Sequence, residues 1–387
     1  MTTITVRVAV VADSHFDESS RFEECVRLHD WMATDIAARG VDLVLHAGDV
    51  YERRSTPRER AAVADWLRRV ADVAPVLLVR GNHDALGDLP LMSRLRARHP
   101  IVVEEACGVH LIGGVAVAAV AWPRKGELLA RLGPVSPERT SAGALEALRD
   151  VLSGLGHELD QHALPRLLLA HAMVRGSVTS AGQPLVGCDM ELGLEDLALV
   201  RADLVVLGHI HKGQEWTHDD VPIVYPGSPR RTAYGECEEK GYLLVTIEQD
   251  RGAARRVSWE RITTPATPML LVEATFRDGE LVAIPLDRDS VTGAEIRLRY
   301  GTASDTRDAA RRAALAQRTA WLDAGATCVK VEESVDAAVR SRAPEIAEAR
   351  TLEEKLRVCW RMRGADLGQE REARLLDRLR ELEQGEA

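Results

Sequence analysis

Several short apolar runs in this chain end in residues that bind metal ions. The first run leads into Asp13-Ser-His15, the second into Gly48-Asp49, and the third into Gly81-Asn82. Carboxylate, imidazole and amide groups suit manganese, iron or zinc better than calcium. Ligands of parallel sheets bind beyond the carboxyl ends of the strands, so these side chains should converge on one site. The full candidate ligand set is Asp13, His15, Asp49, Asn82, His171, His209 and His211.

This ligand set predicts phosphoester hydrolysis at a pair of metal ions. Two ions roughly 3.5–4 Å apart can clamp a phosphate and bring the pKa of bound water toward about 7. Asp49 is the obvious carboxylate to bridge them. His83, next to ligand Asn82, is expected either to protonate the leaving alkoxide or to stabilise the pentavalent phosphorus, and Asp84 is expected to orient His83. The pairs Asp13/His15 and His209/His211 are two residues apart, so alternation along a strand would aim both members at one ion.

The elements that must position these residues are strands alternating with helices up to about residue 260. Strands are predicted at 6–12, 43–46, 76–79, 167–170, 204–207, 222–225 and 242–248, with several more between 101 and 122. Helices are predicted from Phe22 to Gly40 and from Pro57 to about Val73. The Thr- and Pro-rich segment 263–268 reads as a linker. We therefore predict a metal-binding domain over 1–262, a small α+β domain over 263–345 and a charged helical tail over 346–387.

Composition narrows the class of protein. The 387 residues are 45% hydrophobic and carry a net charge of −10, so nucleic acid could be bound only through local basic patches. Six cysteines without CxxC spacing predict reduced thiols in a cytoplasmic protein. No signal peptide and no membrane-length apolar run is visible. The chain has no GxxxxGK[ST] segment, so any ATP would be bound by a partner.

The motif set resembles the calcineurin-like metallophosphoesterases, and within them the SbcD-type double-strand-break repair nucleases. The resemblance rests on Asp13-x-His15, Gly48-Asp49, Gly81-Asn82-His83-Asp84, His171 and Gly208-His209-x-His211. The segment Tyr225-Pro-Gly-Ser-Pro-Arg-Arg231, followed by Gly235-Glu236, is typical of that subfamily. The likeness is strong over residues 1–250 and weaker beyond. Two departures stand out: Phe16-Asp17 follows His15, and Glu52 replaces a histidine of archaeal relatives.

The resemblance implies a four-layer α/β/β/α sandwich with a small α+β capping domain and a C-terminal helical tail. It implies two manganese ions and a homodimer that cuts DNA ends and hairpins. It also implies that the helical tail docks on an SMC-type ATPase such as SbcC. By this resemblance one ion is held by Asp13, His15, Asp49 and His211, and the other by Asp49, Asn82, His171 and His209, with His83 catalytic.

Three functions remain open from the sequence. The first is the nuclease subunit. The second keeps the site but acts as a phosphatase or phosphodiesterase on small molecules or phosphoproteins. The third is a DNA-end scaffold in which the metals are only structural. Five arginines could contact DNA phosphates or lie in solvated loops: Arg53, Arg54, Arg58, Arg230 and Arg231. His46, inside a predicted strand, is expected to be a hydrogen-bonded core residue.

Overall fold

The computed structural model describes residues 4–132, 140–181, 183, 190–249, 255–303, 305–336, 349, 351–365 and 367–385. Its first six-stranded sheet has the order β14-β13-β1-β2-β3-β4. Strands β1 to β4 run parallel, and β13 is antiparallel to β1. The strands are β1 (Ile4–Val11), β2 (Leu43–His46), β3 (Val76–Val79), β4 (Ile101–Glu104), β13 (Gly241–Gln249) and β14 (Arg256–Thr263).

A second six-stranded sheet faces the first and has the order β11-β12-β10-β7-β6-β5. Its central strands β6, β7, β10 and β12 are parallel, while β5 and β11 form antiparallel edges. The strands are β5 (Cys107–Ile112), β6 (Val115–Val120), β7 (Arg166–His171), β10 (Leu204–Gly208), β11 (Gln214–His218) and β12 (Val221–Tyr225). A separate two-stranded sheet pairs β8 (Met173–Val174) with β9 (Glu191–Leu192).

Continuous apolar strands allow each sheet to bury both of its faces. In β1, Val8 and Val10 belong to the core between the two sheets, while Ala9 and Val11 belong to the core under the outer helices. Alternate side chains of a strand point to opposite faces, so an unbroken apolar run serves both cores. The inner core contains Leu45 from β2 and residues of β6, β7 and β10.

Helices cover both outer faces. Helices α1 (Phe22–Arg39) and α2 (Pro57–Ala71) pack on the first sheet, and α4 (Thr140–Leu159) and α5 (Leu194–Ala198) pack on the second. Gly40 ends α1 in the left-handed conformation at φ 61°, as predicted. Thr56 and Glu59 form a capping box at the start of α2. The predicted α/β/β/α sandwich is therefore confirmed, with α3 (Lys125–Leu132) and a 3₁₀ turn at Leu89–Arg94 as additions.

Beyond residue 268 lie a four-stranded sheet and further helices. The sheet has the order β16-β15-β17-β18. The elements are β15 (Met269–Arg277), β16 (Glu280–Ala283), α6 (Arg288–Val291), β17 (Glu295–Ala303), α7 (Arg307–Asp323), β18 (Cys328–Asp336), α8 (Leu352–Met362) and α9 (Gln369–Gly385). The chain divides into two compact units, one over 1–272, 285–297 and 320–330, the other over 273–284, 298–319 and 331–387. None of the described helices is long and apolar enough to cross a membrane.

Candidate metal centre

The candidate ligands lie at the carboxyl ends of five strands, three in the first sheet and two in the second. Asp13 and His15 follow β1, Asp49 follows β2 and Asn82 follows β3. In the second sheet, His171 is the last residue of β7, and His209 and His211 follow β10. The structure therefore brings together all seven residues of the predicted ligand set.

Left-handed backbone, rather than strand alternation, aims several of these side chains. Asp13, His15, Asp49 and His209 have φ values of 52°, 47°, 54° and 106°. Non-glycine residues rarely adopt this conformation, and the strain of about 1–3 kcal/mol each is typical of functional sites. Backbone hydrogen bonds hold the loops: the Asp13 N–H donates to the Gly48 carbonyl at 3.0 Å, and the His15 N–H to the Asp49 carbonyl at 3.1 Å. The expectation that Asp13 and His15 alternate along a strand is wrong, because β1 ends at Val11.

The first ligand group consists of Asp13, His15 and His211, whose candidate atoms all lie within 4.8 Å of one another. The Nε2 atoms of His15 and His211 are 3.0 Å apart. Asp13 Oδ2 is buried and has no hydrogen-bond partner among the described residues. Burial is the main reason that the pKa of Asp13 rises to about 6, with the neighbouring Asp49 carboxylate adding to it. A buried carboxylate oxygen without a donor beside two imidazole nitrogens fits a bound cation.

The second ligand group consists of Asp49, His171 and His209, with Asn82 between them. Asn82 Oδ1 lies 2.8 Å from His171 Nε2 and 3.0 Å from His209 Nδ1. His171 Nδ1 lies 2.7 Å from the Ala47 carbonyl and donates to it, so Nε2 is the atom that faces the group. His209 Nε2 and Asn82 Nδ2 are buried without a partner among the described residues.

Charge in the second group also favours a cation. Burial alone would lower the pKa of His171, but the Asp49 and Asp13 carboxylates outweigh it and raise that pKa to about 9. Burial opposes ionisation of Asp49, yet the adjacent His171 and His15 hold its pKa well below its usual range. A metal ion would supply the positive charge that these carboxylates otherwise draw from a proton on His171. The residues present therefore fit a metal centre.

Asp49 lies between the two groups. Its Oδ2 is 3.3 Å from His171 Nε2 and 3.8 Å from His15 Nε2. Its Oδ1 accepts the backbone N–H of His83 at 2.9 Å. Gly81 makes the approach possible, since a Cβ there would lie only 2.1 Å from Asp49 Oδ1.

His83 borders the cavity next to the first group and is held by Glu52 rather than by Asp84. Its Nδ1 lies 2.9 Å from the Glu52 carbonyl, and its ring meets the His15 ring edge-on at 5.0 Å. The Asp84 carboxylate accepts the backbone N–H groups of Gly81 and Tyr51, both at 2.8 Å. The expectation that Asp84 orients His83 is therefore wrong. Both Asp84 oxygens are engaged in joining the loop after β3 to the loop after β2.

Glu52, noted in the sequence only as a departure, contacts the centre directly. Its Oε2 lies 2.7 Å from His15 Nδ1, and its Oε1 lies 3.6 Å from His83 Nδ1. The 2.7 Å separation is an ion-pair distance without hydrogen-bond geometry, and the other nitrogen of His15, Nε2, is the one that faces His211. The centre opens into a cavity of about 250 Å³ whose lining includes His15, Asp49, Glu52, His83, Gln183 and Arg230.

Behind the ligands lies a buried chain of hydrogen bonds through Ser14. The Ser14 Oγ is 2.8 Å from Nε2 of His46 and 2.8 Å from Nε2 of His29. His46 Nδ1 accepts the Gly48 N–H at 3.3 Å, and His29 Nδ1 donates to the Cys25 carbonyl at 2.8 Å. These two outer hydrogen bonds set the tautomer of each imidazole, so His46 Nε2 donates to the Ser14 hydroxyl and that hydroxyl donates to His29 Nε2. The prediction that His46 is a hydrogen-bonded core residue is confirmed.

The arginines considered for phosphate contact mostly bind the protein itself. Arg230 is buried and donates to the backbone carbonyls of Ser14 at 3.4 Å and His15 at 2.5 Å. Arg231 donates to the carbonyls of Glu236 and Glu238. Arg53 forms an ion pair with Asp17, and Arg58 forms one with Glu23.

Comparisons with known proteins agree with this geometry. The model of the calcineurin-like phosphoesterase family matches residues 6–213. The chain is 25% identical to the DNA double-strand break repair protein Mre11 of Halobacterium salinarum over 329 residues, which is 76% of this chain and 74% of that protein. It is also 25% identical to Mre11 of Haloferax volcanii over 291 residues, which is 71% of this chain and 56% of that protein. The uncharacterized metallophosphoesterase YhaO of Bacillus subtilis is 31% identical over 88 residues, 21% of this chain and 22% of that protein.

Solved structures that resemble this one share less sequence identity with the chain. GAP50 of the Plasmodium inner membrane complex is 12% identical with a TM-score of 0.42, covering 67% of this chain and 89% of that one. A dimetal phosphatase from Danio rerio is 13% identical with a TM-score of 0.38, covering 65% of this chain and 98% of that one.

Proposed function

This chain belongs to the calcineurin-like phosphoesterase family, and from that premise we propose that it is a two-metal DNA nuclease acting in an SbcCD-like complex. The observation that carries the proposal is the position of Asp49, whose Oδ2 lies 3.3 Å from His171 Nε2 and 3.8 Å from His15 Nε2. One carboxylate oxygen thus faces both ligand groups, as a bridge between two ions requires. The two Mre11 relatives support DNA as the substrate.

Seven side chains would hold the ions, with Asp49 shared. Asp13, His15 and His211 would complete one site, and Asn82, His171 and His209 the other. The mixture of carboxylate, imidazole and amide donors suits manganese. When bound, the two ions would neutralise phosphate charge and lower the pKa of water, so that it attacks phosphorus near neutral pH.

His83 is the group we propose to serve the leaving oxygen. Its Nδ1 donates to the Glu52 carbonyl, so Nε2 is the nitrogen that would carry a second proton in the imidazolium form and transfer it to the leaving oxygen. Its backbone N–H is anchored on Asp49 Oδ1 at 2.9 Å, which fixes its distance from the bridging carboxylate. Such anchoring favours proton transfer because a general acid must be in hydrogen-bond reach of the atom it protonates.

A phosphodiesterase or phosphatase for small substrates is the second candidate, and one observation favours it. Four of the five arginines considered for phosphate contact or for solvated loops bind groups of the protein: Arg230 and Arg231 bind carbonyls, and Arg53 and Arg58 bind carboxylates. Of these four, Arg230 also lines the cavity and keeps Nη1 without a partner among the described residues. Substrate preference separates the two functions. A nuclease should degrade linear duplex DNA, whereas an enzyme for small molecules should prefer mononucleotide or aryl phosphodiesters by orders of magnitude.

The decisive experiment compares the wild-type protein with His83→Ala and His157→Ala on an end-labelled linear duplex in manganese. His157 is exposed on α4 and is the matched control. We expect cutting by the wild type and by His157→Ala, none by His83→Ala, and unchanged metal binding in all three. A wild type that hydrolyses aryl phosphodiesters but leaves DNA intact, even with the ATPase added, would favour the second candidate. DNA-end binding without hydrolysis of either substrate would favour the scaffold function.

We also propose that α8 and α9 bind an SMC-type ATPase and that the chain forms a homodimer. The two helices are joined by ion pairs, Arg357 to Glu372 at 3.0 Å and Arg380 to Glu353 at 2.6 Å. They nevertheless keep large apolar side chains exposed, namely Leu352, Met362 and Leu375 at 48%, 50% and 42%. Exposed apolar side chains on a paired helical tail favour a docking role. Sedimentation velocity would test the dimer.

A further inference from the structure

The segment after β12 contains a polar chain, from the buried Glu236 through the partly buried Thr232, that ends on a proposed metal ligand. His211 Nε2 lies 3.0 Å from His15 Nε2 in the first ligand group. Its other nitrogen, Nδ1, lies 3.1 Å from Thr232 Oγ1. Thr232 Oγ1 is in turn 3.0 Å from Glu236 Oε1. The Gly235-Glu236 pair is part of the motif that marks the resemblance, but the ligand set and the catalytic histidine assign it no role.

Glu236 is a fully buried carboxylate whose charge is balanced. Its Oε2 lies 2.7 Å from the ammonium of Lys240, which is itself buried and also contacts Glu238 at 2.7 Å. A buried carboxylate paired with a buried ammonium at this distance is held in its ionised form. Lys240 also donates to the His211 carbonyl at 3.2 Å, so backbone and side chain of the ligand are held by the same cluster.

The ionised Glu236 fixes the direction of every proton in the chain. A carboxylate only accepts, so the Thr232 hydroxyl donates to Glu236. The lone pair of Thr232 Oγ1 then accepts from His211 Nδ1–H. His211 is thereby held as the tautomer whose Nε2 carries a lone pair, the form that a metal ion requires.

We propose that Thr232 is a positioning residue, which relays the negative charge of Glu236 to His211 and keeps Nε2 of that ligand ready for a cation. This inference rests on the proposed two-metal function and goes beyond its ligand set. His15, the other histidine of the first group, has the Glu52 carboxylate 2.7 Å from its Nδ1, but without hydrogen-bond geometry. His211 is therefore the histidine of this group that a hydrogen-bonded chain orients, from Glu236 through the Thr232 hydroxyl.

The test compares Thr232→Val, which keeps the shape of the side chain without the hydroxyl, with Thr232→Ser, which keeps the hydroxyl. Binding of Mn²⁺ is measured by calorimetry. Removing an orienting partner typically weakens a metal site about 10- to 100-fold. For Thr232→Val we expect an about 10- to 100-fold weaker affinity in one of the two Mn²⁺ binding events and no change in the other. For Thr232→Ser we expect affinities within about threefold of the wild type.

A second readout needs no metal. Nitrogen chemical shifts of the His211 ring in the metal-free protein should report the Nδ1–H tautomer in the wild type and in Thr232→Ser. Thr232→Val should show a mixture of both tautomers. Unchanged Mn²⁺ affinity in Thr232→Val would overturn the proposal, as would a loss of both events together with a lower melting temperature of the metal-free protein. A wild type that binds no Mn²⁺ would instead refute the proposed function, and the tautomer measurement would still test the relay.

Discussion

Replacing Gly81 by alanine should disable the centre by moving Asp49. A Cβ at residue 81 would lie 2.1 Å from Asp49 Oδ1 and 2.3 Å from its backbone nitrogen. Ordinary van der Waals contact begins near 3.4 Å, so Asp49 and the loop after β2 would have to retreat by about 1.3 Å. The φ of Gly81 is one that alanine also adopts, so the effect is steric and not conformational.

The magnitude follows from the place of Asp49 between the two ligand groups. Its Oδ2 lies 3.3 Å from His171 Nε2 and 3.8 Å from His15 Nε2, so a shift above 1 Å exceeds the tolerance of both contacts. A misplacement of about 1 Å at a reacting centre can lower the rate about 100-fold. We therefore expect at least that loss in hydrolysis of an aryl phosphodiester in manganese, with weaker binding of both ions.

The control is Gly154→Ala, in the exposed part of α4, where an added Cβ meets no atom within 4 Å. It should leave the rate unchanged and raise the free energy of unfolding by about 0.5–1 kcal/mol, because alanine is the better helix former. A Gly81→Ala protein that retains its rate within about twofold would contradict this steric effect. Binding of both ions as tightly as in the wild type would contradict it as well.

Three further predictions concern the core and the tail. Ser14→Ala removes the hydroxyl between His29 and His46 and should lower the free energy of unfolding by about 1–3 kcal/mol in urea titrations; no change would mean that water replaces it. Burial lowers the pKa of His29 to about 3 from its ordinary 6.5, so the unfolded chain binds the extra proton and stability falls on acidification between those values. His29 contributes up to about 1.4 kcal/mol per pH unit to this slope, beside the equally buried His46, so the slope should fall by that amount in His29→Gln; an unchanged slope in metal-free urea titrations would contradict this. Deleting 351–387 should spare Mn²⁺ binding but abolish capture of the ATPase partner, whereas unfolding of the truncated protein would make the tail structural.

The strand ends were predictable from the sequence, but the geometry at those ends was not. Apolar runs such as Val76–Val79 mark buried strands, and the polar residue after each run marks the edge where ligands gather. The left-handed φ values of Asp13 and His15 cannot be predicted from the order of the residues. Alternation along a strand predicts that Asp13 and His15 lie together, but the left-handed loop after β1 is what brings them together.

The residues that support the ligands were also beyond the sequence. Thr232 and Glu52 reach His211 and His15 across 21 and 37 positions of the chain, and only the fold joins them. Asp84 follows His83 in the sequence, but the fold directs its carboxylate to the backbone of Gly81 and Tyr51 instead. Helix α4 and strand β14 were not predicted either. The small-domain and tail boundaries remain predictions.

The centre draws Asp13, His15, Asp49 and Asn82 from one sheet and His171, His209 and His211 from the other. It consequently cannot exist on a partly synthesised chain: the first ligand leaves the ribosome almost two hundred residues before the last. A metal centre built from these side chains would therefore form only after the second sheet has packed on the first. A chain that ends before His211 would lack part of the ligand set, so phosphoester hydrolysis would be among the last properties that the folding protein acquires.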